Sequence, residues 1–228
     1  MSALADPSAS NGLGAAGWIF LCAVFVLPRV AGSIGVHSGG IEGPVTMRRA
    51  VIPWIVALVP ELVLAWIAMR SERLEFWREF GADARSIRLA AFTLAAFLVV
   101  GWYGFRVALR NGKHRLFDWA PRNRRDLREW WVAALLLGIG CELVYRGALF
   151  AILLKATGAE STAWLLASIA FGVAQVRQGA GAVLTVTLFG LQLQLLANLS
   201  GSLHLSIAVA YNALYGTIVG RELARSRA

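Results

Sequence analysis

The chain has 228 residues, of which 58% are hydrophobic and 15% charged, with 22 Lys and Arg against 13 Asp and Glu. Soluble domains average roughly 25% charged residues, and here the apolar residues come in long blocks, so an ordinary soluble core is excluded. The net charge of +9 sits in the connections between those blocks and not on one folded face, which argues against nucleic acid as a partner and points to the lipid bilayer and its anionic headgroups.

Seven blocks follow one another along the chain: 13–34, 50–69, 89–109, 130–154, 161–176, 180–197 and 202–220. Each is close to the ~20 residues a helix needs to cross a bilayer. Helices are expected because in hydrocarbon every backbone donor and acceptor must be satisfied within the segment. The fold class is therefore all-α, a polytopic transmembrane bundle of about seven helices. Pro28 and Arg29 interrupt the first block, which is expected to be broken or only partly inserted. Pro53, Pro60 and Glu61 in the second suggest a kinked helix that faces protein. The connection from Arg70 to Arg88 mixes Arg, Glu, Phe and Trp as an amphipathic interfacial helix does. The connection from Arg110 to Glu129 is the most basic stretch. Trp54, Trp66, Trp102, Trp119, Trp130, Trp131 and Trp164 lie near block ends or in connections, as an aromatic belt would.

Charge orients the blocks. With seven spans, the side of the N-terminus collects six Lys and Arg, and the opposite side collects fourteen. The positive-inside rule then places the C-terminus and the 106–129 connection in the cytoplasm. The expected location is the bacterial inner membrane, as a multi-pass protein. Cys22 and Cys141 both sit inside apolar blocks and form neither a disulfide framework nor a C-x-x-C pair.

Ionisable groups inside apolar blocks are the informative ones, since each costs about 2.5–3.5 kcal/mol at a helix centre. In GIGCELVYRGALF, Glu142 and Arg146 stand four apart on one face, with the acid on the N-terminal side. Gly138, Gly140, Gly147 and Ala148 flank them and allow a neighbouring helix to approach closely. The pair either neutralises itself and pins the bundle, or lies at a polar intramembrane site; the residues alone leave both open. Gln192, Gln194 and Asn198 need partners in hydrocarbon and are expected toward the bundle interior or its edge, more as packing glue than as a substrate site.

The stretch CELVYRGALF resembles the E-E-x-x-x-R-G signature of the CPBP family of intramembrane proteases, which includes the type II CAAX prenyl endopeptidases and bacteriocin-processing proteins. SIAFGVAQ, with Phe171 and Gln175, resembles that family's F-x-x-x-H. GSLHLSIAVAYNAL resembles its last motif, whose H-x-x-x-N falls on Ala208 and Asn212. The resemblance runs from Trp130 to Gly220. It implies a four-helix core in which the first signature Glu and two His form the catalytic centre, the Asn assists, and a metal is argued for in some members.

This chain departs from that pattern where it matters. The acid and imidazole positions hold Cys141, Gln175 and Ala208, while Glu142, Arg146 and Asn212 match. Glutamine accepts no proton near neutral pH and is a poor zinc ligand. Alanine offers no ligand, and a cysteine in apolar surroundings stays a thiol. His204 shares a helix face with Ala208 and Asn212 and has two readings, an interfacial residue or a substitute catalytic group. The expectation is a CPBP-like protein that binds a membrane protein or lipidated peptide without cutting it, with no cofactor. Its domains are N-terminal helices over 1–129, a four-helix core over 130–220 and a cytoplasmic tail over 221–228. The alternative is an active endopeptidase with a rearranged centre, built on Glu142 with Cys141, Asn212 and His204, for which zinc would enter. A small transporter lined by Glu61, Arg29 and the Glu142–Arg146 pair is the third possibility.

Overall fold

In the computed structural model of the chain, residues 12–37, 47–74, 84–110, 121, 123–176, 180–200 and 204–225 are described. They form seven helices: α1 Ala15–His37, α2 Met47–Ser71, α3 Ala84–Arg110, α4 Arg124–Thr157, α5 Glu160–Ala174, α6 Ala180–Ser200 and α7 His204–Arg225. The described residues contain no strand. Each apolar block read from the sequence corresponds to one helix. The all-α bundle is as expected.

Two of the described stretches are long and apolar enough to cross a membrane, Ile87–Val107 in α3 and the whole of α4. Ala15–Pro28, Glu160–Ala174 and Val183–Gln194 are shorter apolar stretches. Large apolar side chains face outward along α3, with Phe92 at 73% and Val100 at 69% exposure. Such a surface needs an apolar environment or partner to cover it. α1 runs unbroken through Pro28, which corrects the expected interruption: a proline forfeits one backbone bond, and the remaining turns carry the helix past it. The proposed interfacial helix between Arg70 and Arg88 falls largely on 75–83, outside the described residues; Arg70 ends α2 and Arg88 belongs to α3. The basic 110–129 connection likewise lies mostly outside them.

Local chemistry sets the helix ends. Asn123 caps α4, its side chain accepting from the Asp126 N–H at 2.9 Å, and Asp126 adds negative charge to the first turn. α4 ends at Gly158 in the left-handed conformation, φ 65°, as a glycine past a C-terminus does without steric cost. α2 ends in a Schellman motif: the Leu74 N–H reaches the Met69 carbonyl at 2.8 Å and the Arg73 N–H reaches Arg70 at 3.2 Å. Arg73 takes the left-handed position, φ 55°.

That turn aims Glu72 back into the bundle. Its carboxylate accepts from Lys155 Nζ at 2.6 Å and from the Gly14 N–H at 2.7 Å. The acid thus serves the N-terminus of α1, where backbone donors have no partner of their own, and ties it to α2 and to the end of α4. The hydrogen bond from Lys155, with that of Gly14 and the lysine's charge, holds the Glu72 carboxyl below the usual carboxylate range against its burial.

The main core gathers Phe20 and Val24 from α1, Leu58, Ala65 and Met69 from α2, Val144, Leu149 and Ile152 from α4, and Ala167 and Phe171 from α5. Smaller clusters join Leu193 of α6 to Tyr211 of α7, and Phe105 of α3 to Val219 and Leu223 of α7. Arg106 of α3 lies 3.6 Å from Glu222 and 5.1 Å from the centre of the Trp102 ring. α5 and α6 approach closely where Gly172 meets Thr187 and the Val183 backbone, and where Gly190 meets Ser168.

Two outcomes test this packing. A Cβ at Gly172 would lie against Thr187 Oγ1 and 2.7 Å from the Val183 carbonyl, so Gly172→Ala costs about 1–3 kcal/mol in unfolding measured in detergent. Gly104→Ala, with nothing within 4 Å, stabilises by up to about 1 kcal/mol through helix propensity. For Glu72 the sign follows from its lowered value: its contribution is fully present above the ordinary carboxylate value of 4.5 and is lost as pH falls through the lower folded value. A plot of Tm against pH therefore declines below that point, and the decline is shallower in Glu72→Gln.

Candidate functional site

The site is built where α4 changes character. Residues Glu142–Leu149 form a π-helical turn inside α4, a feature that occurs most often at functional sites. Two neighbouring helices read two different stripes of this segment.

On one stripe α7 crosses α4 antiparallel, through small residues. Trp130 lies against Gly220, Ala134 against Gly216 and Gly138 against Asn212, where an added Cβ at 138 would be 3.1 Å from the Asn212 Cβ. The indole of Trp130 donates to the Gly216 carbonyl at 2.8 Å, so this tryptophan joins two helices. One turn beyond Gly138, the Asn212 amide donates to Glu142 Oε1. Arg146 forms an ion pair with the same oxygen. Glu142 is fully buried and the Arg146 side chain is 10% exposed. Glu142 Oε2 is buried with no hydrogen-bond partner. α5 closes the site from the side: the Arg146 guanidinium lies 5.2 Å from the centre of the Phe171 ring, and the Tyr145 ring packs 5.2 Å from the same phenylalanine. A cation over an aromatic face is attracted by the ring quadrupole, so Phe171 helps hold the guanidinium in place.

On the other stripe α2 crosses α4 at Gly140, whose missing side chain makes room for Leu58. One turn along, Glu61 is 3% exposed. The sequence reading already has Glu61 on a protein-facing helix, and its burial agrees with that.

The six residues singled out from the sequence thus separate. Glu142, Arg146 and Asn212 meet at one carboxylate oxygen. Cys141 is adjacent and half-buried. Gln175 is the half-buried C-cap of α5, its N–H bonding the Gly172 carbonyl at 2.9 Å, one turn past Phe171. His204 opens α7, and its side chain, like that of Ala208, lies outside the described residues. Gln194 turns inward, whereas Gln192 faces outward, because two residues along a helix point to different sides; the side chain of Asn198 lies outside the description. Among the described residues no three His, Cys, Asp or Glu gather as a metal ligand set. A catalytic zinc needs about three protein ligands, so the described residues do not fit one.

Residues 124–213 match the family model for Rce1-like proteins, described as type II CAAX prenyl endopeptidase Rce1-like. Over this segment the chain is similar to the Rce1-like family. The match starts at the first residue of α4 and ends one residue past Asn212, so all six CPBP motif positions, 141, 142, 146, 175, 208 and 212, fall inside it. No curated protein and no solved structure gave a match.

The buried pair at the centre of this segment is testable by stability. Arg146→Met leaves the Glu142 carboxylate buried with Asn212 alone and costs about 3–5 kcal/mol. Adding Glu142→Gln to it removes the stranded charge and recovers most of that loss. Unfolding of both variants in detergent reads the difference.

Proposed function

We propose that this CPBP-family membrane protein keeps the family's fold and polar centre, binds a membrane protein or lipidated peptide there, and does not cut peptide bonds. The observation that carries this reading is the state of Glu142. Its Oε1 is occupied by both Arg146 and Asn212, and the neighbouring motif positions hold Cys141, Gln175 and Ala208. General base catalysis needs a group that takes a proton near the working pH. A carboxylate locked to a guanidinium, beside a thiol and an amide, does not supply the acid–imidazole set that the resemblance implies. What such a centre does supply is polar recognition in an apolar surround, where an unpaired hydrogen-bonding group is costly and a paired one is specific.

One feature favours the second reading, an endopeptidase with a rearranged centre. Glu142 Oε2 is a buried carboxylate oxygen with no partner, and such an oxygen is suited to orient a water molecule. Hydrolysis of a prenylated or membrane-spanning peptide by the purified full chain separates the two. No cleavage above the buffer rate is expected, and Glu142→Ala changes nothing. Cleavage that disappears in Glu142→Ala would establish the enzyme instead.

A further inference from the structure

Arginines gather at one end of the bundle, where the C-termini of α3 and α7 meet the N-terminus of α4. There Phe105 of α3 packs with Val219 and Leu223, and Trp130 of α4 lies against Gly220. Three of these arginines are already paired: Arg106 with Glu222 and over the Trp102 ring, Arg225 with the same Glu222, and Arg125 with Glu129. Arg124, Arg128 and Arg221 are exposed and make no ion pair or hydrogen bond among the described residues. Helix geometry puts these three on one side of the α4–α7 seam. In an antiparallel pair, the residues that directly follow the seam residues on each helix emerge on the same side. Trp131 follows Trp130 and Arg221 follows Gly220, and Arg128 and Arg124, three and seven positions before Trp131, continue its stripe. Leu135 and Leu214 extend the two stripes inward, each seven residues, or about 10 Å, from Arg128 and Arg221. Both leucines are nearly half exposed, and because Ala134 meets Gly216 they lie at nearly one depth. Trp131 stands between the charges and the leucines, its indole N–H without an acceptor.

We propose that this side of the α4–α7 seam holds one anionic phospholipid, its phosphate at Arg128 and Arg221 with Arg124 beyond, and an acyl chain along Leu135 and Leu214. The arrangement matches both ends of such a molecule. A guanidinium presents paired N–H donors that fit two phosphate oxygens, and here its charge is not spent on a carboxylate of the chain. A free phosphate anion would use the arginines alone, whereas a lipid also covers the exposed leucines beneath them. A zwitterionic headgroup carries its own ammonium beside the phosphate, which offsets the charge that the arginines attract. The site lies 14 residues, or about 20 Å, along α4 from Glu142, so it does not depend on what the buried centre binds.

The test uses the full chain purified in detergent and mass spectrometry of the intact protein, with dioleoyl phosphatidylglycerol and dioleoyl phosphatidylcholine as probes. The wild type retains one phosphatidylglycerol about tenfold more tightly than phosphatidylcholine. Arg128→Gln with Arg221→Gln brings the two lipids to within about twofold of each other. Arg110→Gln with Arg125→Gln removes the same charge from the same end but off the stripe, and it keeps the preference. Equal retention of both lipids by the wild type overturns the inference and needs no variant to fold. A control variant that loses the preference as fully as the stripe variant also overturns it, since the attraction is then diffuse. Glycerol phosphate, the soluble headgroup, leaves the lipid bound; its displacing the lipid would make this a site for a free phosphate anion and overturn the lipid.

Discussion

A single carboxylate oxygen organises the centre of this molecule. Placing Glu142 at 0% exposure in an apolar bundle is costly unless opposite charge and hydrogen-bond donors arrive together. Arg146 comes from the next turn of the same helix, so it is available as soon as α4 forms. Asn212 comes from α7, and only because Gly138 and Gly216 let two backbones close on each other. Phe171 comes from α5 and backs the guanidinium. Three helices are thereby required to complete one charge pair, which fixes their mutual register more strictly than apolar packing alone would, since shifting any of them strands a buried charge.

The sequence revealed this arrangement unevenly. Seven apolar blocks are visible as long runs, and a helix is the only simple answer for them, so their number and order could be read directly. Glu142 and Arg146 could be paired because i, i+4 spacing is a local rule. Asn212 required the motif resemblance, since no local rule links residues 70 positions apart. Glu61 could be read as facing protein, but not which helix it faces, since that depends on how α2 crosses α4, where Leu58 fills the space at Gly140. The π-helical turn has no periodic signature at all. Trp130 was read as an interfacial anchor by its position near a block end, yet its indole bonds the backbone of α7, a fact that only tertiary packing decides.

Residues 124–213 match the Rce1-like family model, whereas the positions that the resemblance implies move protons hold a thiol, an amide and a methyl group. Architecture is carried by many distributed contacts and survives the loss of a few side chains; reactivity depends on a handful of atoms and does not. The retained residues, Glu142, Arg146 and Asn212, are those bound to each other.

The anchor at Glu72 bears on how the molecule is made. The start of α1 is synthesised before its partners: the acid that satisfies its Gly14 N–H lies 58 positions later and the lysine that steadies that acid 83 beyond it. Until α4 has been synthesised, the first helix has no completed lock at that end. The lock at that end is therefore one that the chain can complete only after Lys155 has been added to it.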